Sequence, residues 1–128
     1  MQLMPGTAAR VAEELGLSQD PAHLVQAPYN LTLGAHYLSK LLKNLDGRVA
    51  LALATYNAGP RALERWLAGS AGLEMDLWVA RIPYRETRNY VQRVMSSWAR
   101  YRYLARGPAA IPAFGLTLPR RLQLTALY

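Results

Sequence analysis

Three short stretches of this chain combine uncharged polar side chains with methionine or aromatic surface: residues 1–5, 55–60 and 82–91. Their amide and phenol groups belong to Gln2, Tyr56, Asn57, Asn89 and Tyr90. A saccharide offers hydroxyl groups to such side chains and apolar C–H faces to methionine and aromatic rings. A few placed polar groups on a mostly apolar wall are typical of binding grooves. The composition of these stretches therefore predicts a carbohydrate-binding groove.

Each stretch also has a purely structural interpretation. Tyr56 could be a hydrogen-bonded tyrosine at the end of a helix, and Met4 and Tyr84 could belong to the core. Glu86 could be an acid that stabilises the first turn of a long helix through the helix dipole. The sequence leaves these alternatives open for each residue taken alone, but the same chemistry in all three stretches favours the groove.

The second stretch follows an uninterrupted apolar run, residues 49–54. Its alternating alanine and leucine residues favour a helix over a strand. A helix that is apolar on every side must be enclosed by other elements. We therefore predict a buried central helix over residues 49–56. Gly59 ends it, and Pro60 begins the next helix.

The rest of the apolar pattern is also helical, so the predicted class is all-α. Predicted helices cover residues 8–15, 31–45, 60–67 and 85–104, with one turn near 77–80. Thr7 and Asn30 are expected to cap the first two of these helices. The apolar stripe of the second is predicted to be Leu31, Ala35, Leu38, Leu42 and Leu45. That of the last is predicted to be Tyr90, Val91, Val94, Met95, Trp98 and Tyr101.

Composition excludes several classes of site. The 128 residues include no cysteine, which excludes disulfides and thiolate metal ligands, and the two histidines have no carboxylate cluster near them. We expect no metal and no cofactor. The net charge of +7 comes from arginines after residue 60, and such a basic face suits nucleic acid, anionic lipid or an acidic polymer. No apolar run is long enough to cross a membrane.

In this order and at these intervals, the three stretches resemble motifs of the catalytic domain of the soluble lytic transglycosylases, which is similar in fold to goose-type lysozyme. Residues 27–38 resemble a further motif, a helix ending in Gly-x-x-Tyr-Leu. The resemblance implies an all-α, lysozyme-like domain with a central buried helix. It covers residues 1–104 as a partial transglycosylase domain. Residues 105–128 are left as a C-terminal extension, either poorly ordered or the start of another unit.

The resemblance implies a lyase that cleaves the β-1,4 bond between N-acetylmuramic acid and N-acetylglucosamine in peptidoglycan without water. The C6 hydroxyl of the muramoyl unit attacks its own anomeric carbon and leaves a 1,6-anhydro product. One carboxyl group acts first as acid and then as base. The implied partner is the peptidoglycan glycan strand, not nucleic acid. The implied location is the periplasm or cell envelope, with peripheral association at the membrane or envelope allowed.

Matching position by position, the resemblance implies a set of substrate-binding residues. They are Gln2, Met4, Tyr56, Asn57, Glu86 and Tyr90. Tyr56 matches the tyrosine whose hydroxyl bonds to the catalytic carboxyl group. Glu86 matches a groove glutamate that contacts substrate and is not the general acid.

The family's general acid is a glutamate on a helix that precedes the motif matched by residues 1–5. None of the eight carboxylates of this chain stands in that motif, and Ala80 stands where the family often has a glutamate. We therefore interpret the chain as a fragment that lacks the first catalytic helix. It should be inactive alone and should expose apolar surface on its central helix. The alternatives are a non-catalytic peptidoglycan-binding module and, on charge alone, a nucleic-acid binder.

Overall fold

The computed structural model describes residues 3–111 and 117–118. In this part of the chain the α-helices are α1 Pro5–Glu14, α2 Ala27–Asn44, α3 Val49–Ala58, α4 Pro60–Leu67, α5 Met75–Ala80 and α6 Arg85–Arg106. Two 3₁₀ helices cover Pro21–Val25 and Pro108–Ala110. Extended pairing among the described residues is limited to one isolated bridge between Glu74 and Thr117. The predicted all-α class is confirmed.

Helix α3 is the centre of the fold, as predicted. The positions from Ala50 to Thr55 are all buried, and α2, α4 and α6 pack around them. The small alanine side chains allow close approach on several sides. The buried Thr55 hydroxyl donates to the Leu51 carbonyl at 2.7 Å, so it carries no unsatisfied group into the core. The expectation of exposed apolar surface on this helix is wrong at these positions.

Two helices end where glycine and proline predict that they end. Gly59 has φ 84° and its N–H bonds to the Thr55 carbonyl at 2.8 Å, which ends α3, and α4 begins at once with Pro60. Gly107, with φ 77°, ends α6. Positive φ is readily adopted by glycine and rarely by other residues, so these two ends are encoded locally.

The start of α2 differs from the prediction, and its buried face agrees with the prediction only in part. The helix begins at Ala27, and Asn30 lies inside it, where its Nδ2 donates to the Leu24 carbonyl at 2.9 Å. The face turned inward carries Leu33, Gly34, Tyr37 and Leu41. Of the predicted stripe, Leu45 is buried and Leu38 and Leu42 are partly buried against the core, whereas Leu31 is 56% exposed. Both faces of this helix carry leucines, so spacing alone did not identify the one that α1 and α3 cover. Thr7 likewise lies inside α1, which begins after Met4 with a proline at its first position.

Helix α6 is longer than the helix it covers. Val91 is buried against the core, but Tyr101, predicted to be buried, is 72% exposed. Since α6 has 22 residues and α3 has 10, the last turns of α6 extend beyond α3. The described part of the predicted extension contacts the body of the fold. The Leu118 side chain is buried, and its N–H bonds to the Leu73 carbonyl at 2.8 Å.

The packing of α3 and α2 gives a stability test. We expect Leu51→Ala to lower the free energy of unfolding by about 2–5 kcal/mol, because it leaves a cavity in the core. The matched change Leu31→Ala should alter it by no more than about 0.5 kcal/mol, since that side chain is exposed. Urea denaturation followed by circular dichroism measures both. Equal losses would contradict the assignment of the buried face of α2.

Candidate functional site

The last turn of α3 carries Tyr56 out of the core and between two other phenols. Its ring centroid lies 5.4 Å from that of Tyr37 on α2, and the Tyr90 phenol on α6 lies close enough to act on it electrostatically. The Tyr56 hydroxyl is buried, yet it has no hydrogen-bond partner in the described chain. The interpretation of Tyr56 as a hydrogen-bonded helix cap is therefore wrong.

Burial changes the acidity of both phenols that meet at the α3–α6 contact. Removal from water, with a smaller contribution from repulsion by the Tyr90 and Tyr37 phenolates, raises the pKa of Tyr56 to about 12. Burial also raises the pKa of Tyr90, although the positive charge of Arg93 opposes the shift. Both shifts favour the neutral hydroxyl over the phenolate.

Asn57, the next residue, is exposed and is held by α6. The Thr87 hydroxyl donates to Asn57 Oδ1 at 2.6 Å, and Thr87 itself is buried in the first turn of α6. The bond connects the end of α3 with the start of α6 across 30 residues of chain. Sequence reasoning identified Asn57 but missed Thr87. Its position three residues before Tyr90, on the same face of α6, was the available signal.

The start of α6 supplies exposed groups beside this contact. Glu86 lies in the first turn and is exposed, without a hydrogen bond or ion pair to any residue that the structure describes. Tyr84 is 51% exposed and rests edge-on against Trp66, with 5.1 Å between ring centroids. Arg88 fixes the preceding turn by donating to the Ile82 carbonyl at 2.6 Å. Tyr84 is therefore a surface residue and not a core residue.

Among the predicted site residues, the structure brings Tyr56, Asn57 and Tyr90 together and adds Thr87. Met4 is 75% exposed just before α1, so it is not a core residue either. Within the described residues, no hydrogen bond or ring contact links Met4 or Glu86 to this group. Gln2 lies outside the described residues.

The distribution of charge restricts the chemistry of this site. All eight carboxyl groups of the chain belong to exposed residues. The described residues contain no group of histidine, aspartate and glutamate side chains that could hold a metal ion. They also contain no helix long and apolar enough to cross a membrane. The side chains that meet at the α3–α6 contact are neutral phenol, amide and hydroxyl groups, which suits recognition of a neutral polyol.

Comparison with known proteins identifies the family to which this chain is similar. Residues 1–79 match the family model described as the transglycosylase SLT domain. The soluble lytic murein transglycosylase of Escherichia coli K12 is 35% identical over 106 residues, which cover 80% of this chain. A putative soluble lytic murein transglycosylase of Haemophilus influenzae is 39% identical over 98 residues, or 75% of the chain. This chain covers 16% of the length of either relative.

Two solved structures have the same fold. One is an inactive variant of lytic transglycosylase Slt from Pseudomonas aeruginosa, in which glutamine replaces a glutamate. It matches 94% of this chain with a TM-score of 0.82 and 36% identity. The other is a 70-kDa soluble lytic transglycosylase in complex with bulgecin A, which matches 92% of the chain with a TM-score of 0.83 and 30% identity. The chain covers 20% of each of these structures.

The unpaired hydroxyl of Tyr56 gives a second stability test. We expect Tyr56→Phe to leave the free energy of unfolding unchanged or to raise it by up to about 1 kcal/mol, because the variant loses no hydrogen bond. Tyr29→Phe is the matched control, since the Tyr29 hydroxyl donates to the Ser18 carbonyl. In the control, the free energy of unfolding should fall by about 0.5–1.5 kcal/mol. A similar loss in both variants would mean that the Tyr56 hydroxyl has a partner.

Alkaline pH gives an independent test. Because the folded-state pKa of Tyr56, about 12, exceeds the ordinary value of 10.0, folding favours the neutral phenol. The resulting contribution to the free energy of unfolding is complete below the unfolded-state pKa and is lost as the pH rises towards the folded-state pKa. The urea midpoint of the wild type should therefore fall more between about pH 9 and about pH 11 than that of Tyr56→Phe. The control Tyr103→Phe, at an exposed position, should follow the wild type; equal losses in all three proteins would refute the shift.

Proposed function

The chain belongs to the transglycosylase SLT domain family, and on this premise we propose that the surface around Tyr56 and Asn57 binds the glycan strand of peptidoglycan. Members of this family are lytic murein transglycosylases, which are lyases. In this proposal the strand lies against Tyr90 and Glu86 on the α6 side and against Met4 on the α1 side. Gln2, which lies outside the described residues, stays a predicted substrate-binding residue. The exposure of Met4 and Glu86 and the neutral groups at the α3–α6 contact support the proposal.

One observation supports the catalytic part of the proposal most strongly: the Tyr56 hydroxyl is buried and unpaired. A buried hydroxyl without a partner lowers the stability of the fold by about 1–3 kcal/mol. Such a group indicates a position where a further hydrogen-bonding partner binds. A carboxyl group beside three phenols would be partly desolvated, which raises its pKa and keeps it protonated near neutral pH. We propose that the missing partner is the general-acid glutamate.

No carboxyl group of this chain fits that role. A general acid that is protonated at neutral pH needs shielding from water, and every aspartate and glutamate here belongs to an exposed residue. The Pseudomonas relative, which is inactive with glutamine in place of a glutamate, supports a glutamate as the essential acid. The acid of the proposed reaction therefore comes from outside these 128 residues, and the chain alone binds glycan without cleaving it.

The proposed reaction balances with one carboxyl group. The acid protonates the glycosidic oxygen as the C1–O bond breaks, and the C6 hydroxyl of N-acetylmuramic acid then bonds to C1. The proton of that hydroxyl returns to the carboxylate. A tethered hydroxyl reacts at a high effective concentration, so no activated water and no second carboxylate are needed. The Tyr56 hydroxyl orients the acid and has no other chemical step.

The names of the murein transglycosylase relatives also support a location in the periplasm or cell envelope. The arginines after residue 60 suit that location, because peptide side chains of murein carry carboxylates. The location of the substrate does not depend on which residue is the acid.

The cleavage assay uses the purified chain and intact murein sacculi. We expect no release of 1,6-anhydro-muropeptides, detected by mass spectrometry, since the proposed acid is absent. A full-length relative serves as the positive control. Release that disappears in Glu86→Gln would show that this chain carries its own acid and would contradict the proposal.

The binding assay measures retention of the same chain on sedimented sacculi. We expect the wild type to be retained and Asn57→Ala to be retained several-fold less, because hydrogen bonds to substrate are each worth about 0.5–1.5 kcal/mol. Tyr103→Ala is the control, since Tyr103 lies near the far end of α6. An unretained wild type would exclude the binding function.

A further inference from the structure

The hydrogen bond between Thr87 and Asn57 fixes which way an exposed amide points. Thr87 Oγ1 and Asn57 Oδ1 are 2.6 Å apart. The Thr87 hydroxyl donates in this contact, and the amide oxygen accepts. The atom facing Thr87 is therefore the amide oxygen.

The reverse orientation is also unfavourable for Thr87. The Thr87 side chain is buried, and Asn57 Oδ1 is the acceptor that its hydroxyl uses within the described chain. If the amide turned over, the hydroxyl hydrogen would face an NH₂ group and lose that acceptor. A buried donor without an acceptor costs about 1–3 kcal/mol.

The consequence is that Asn57 offers donors only. Its Nδ2 group has no hydrogen-bond partner among the described residues, and Asn57 is exposed beside Tyr56. An unrestrained asparagine side chain could turn either its oxygen or its nitrogen to a ligand. A fixed NH₂ group favours ligand atoms that can only accept, such as the carbonyl oxygen of an acyl group, over hydroxyls, which also donate.

We propose that Thr87 is a positioning residue that holds Asn57 with its NH₂ group towards the groove. In this arrangement the site selects N-acylated sugars by the carbonyl oxygen of the acyl group. The inference rests on the proposed binding function and adds a basis for its substrate preference. Thr87 itself touches no substrate; it acts through Asn57.

The test compares two neutral ligands by isothermal titration calorimetry with the whole chain: the β-1,4 tetramer of N-acetylglucosamine and the β-1,4 tetramer of glucose, which has no acyl group. We expect Thr87→Val to weaken binding of the acylated tetramer by about two- to ten-fold, because the freed Asn57 side chain must then be ordered on binding, and to leave the glucose tetramer unaffected. Thr87→Ser, which keeps the hydroxyl, should restore the preference.

Two further variants separate positioning from a structural role. Asn57→Asp keeps an oxygen for Thr87 but removes the NH₂ donors, so it should lose the preference while remaining folded, because the side chain is exposed. In an Asn57→Ala background, Thr87→Val should cause no further loss of affinity. A merely structural role of Thr87 would weaken binding in that background as well.

The outcomes distinguish this inference from the proposed function. Failure of the wild type to bind either sacculi or the acylated tetramer would overturn both. If the wild type binds, three results would overturn the inference alone: equal weakening for the two tetramers in Thr87→Val, an unchanged preference in Asn57→Asp, or additive losses in the double variant.

Discussion

A helix that is apolar on every side can meet polar groups only at its ends, and this constraint determines where the site forms. Helix α3 is enclosed along six successive positions, so its axis and rotation are set by core packing. Tyr56 and Asn57 follow directly and take their placement from that rigid element. Side chains fixed in this way lose little conformational entropy when they bind a ligand. The hydrophobic core is thus also the scaffold of the site.

The enclosure that fixes Tyr56 also deprives its hydroxyl of water. Neighbouring phenols from α2 and α6 cover it without supplying a hydrogen bond, and the same loss of solvent raises its pKa. A buried hydroxyl that is left unpaired lowers stability by about 1–3 kcal/mol, a cost that phenylalanine at this position would not carry. An unpaired polar group in a well-packed region is a local conflict of the kind expected at functional sites. It links the packing of the fold to the proposed chemistry.

The parts of the fold that could be predicted are those encoded by neighbouring residues. The alanine and leucine run gave the buried helix, and Gly59-Pro60 gave the boundary between α3 and α4, because composition and positive φ act locally. The buried face of α2 could not be chosen, since Leu31 and Leu33 offer two apolar faces and only the packing partners decide. Thr87 was missed for the same reason: its role depends on a contact with Asn57, distant in sequence.

The neutral groups at the contact between α3 and α6 suit the kind of reaction proposed. A hydrolase must activate water, which calls for a second carboxylate and space for that water. Intramolecular attack by a sugar hydroxyl removes the need for both, so one proton donor and groups that hold the sugar still are sufficient. Phenols and a fixed amide supply such holding groups without adding charge. A charged side chain in direct contact with the proposed acid would instead alter the pKa of that acid, since interactions between charges strengthen as water is excluded.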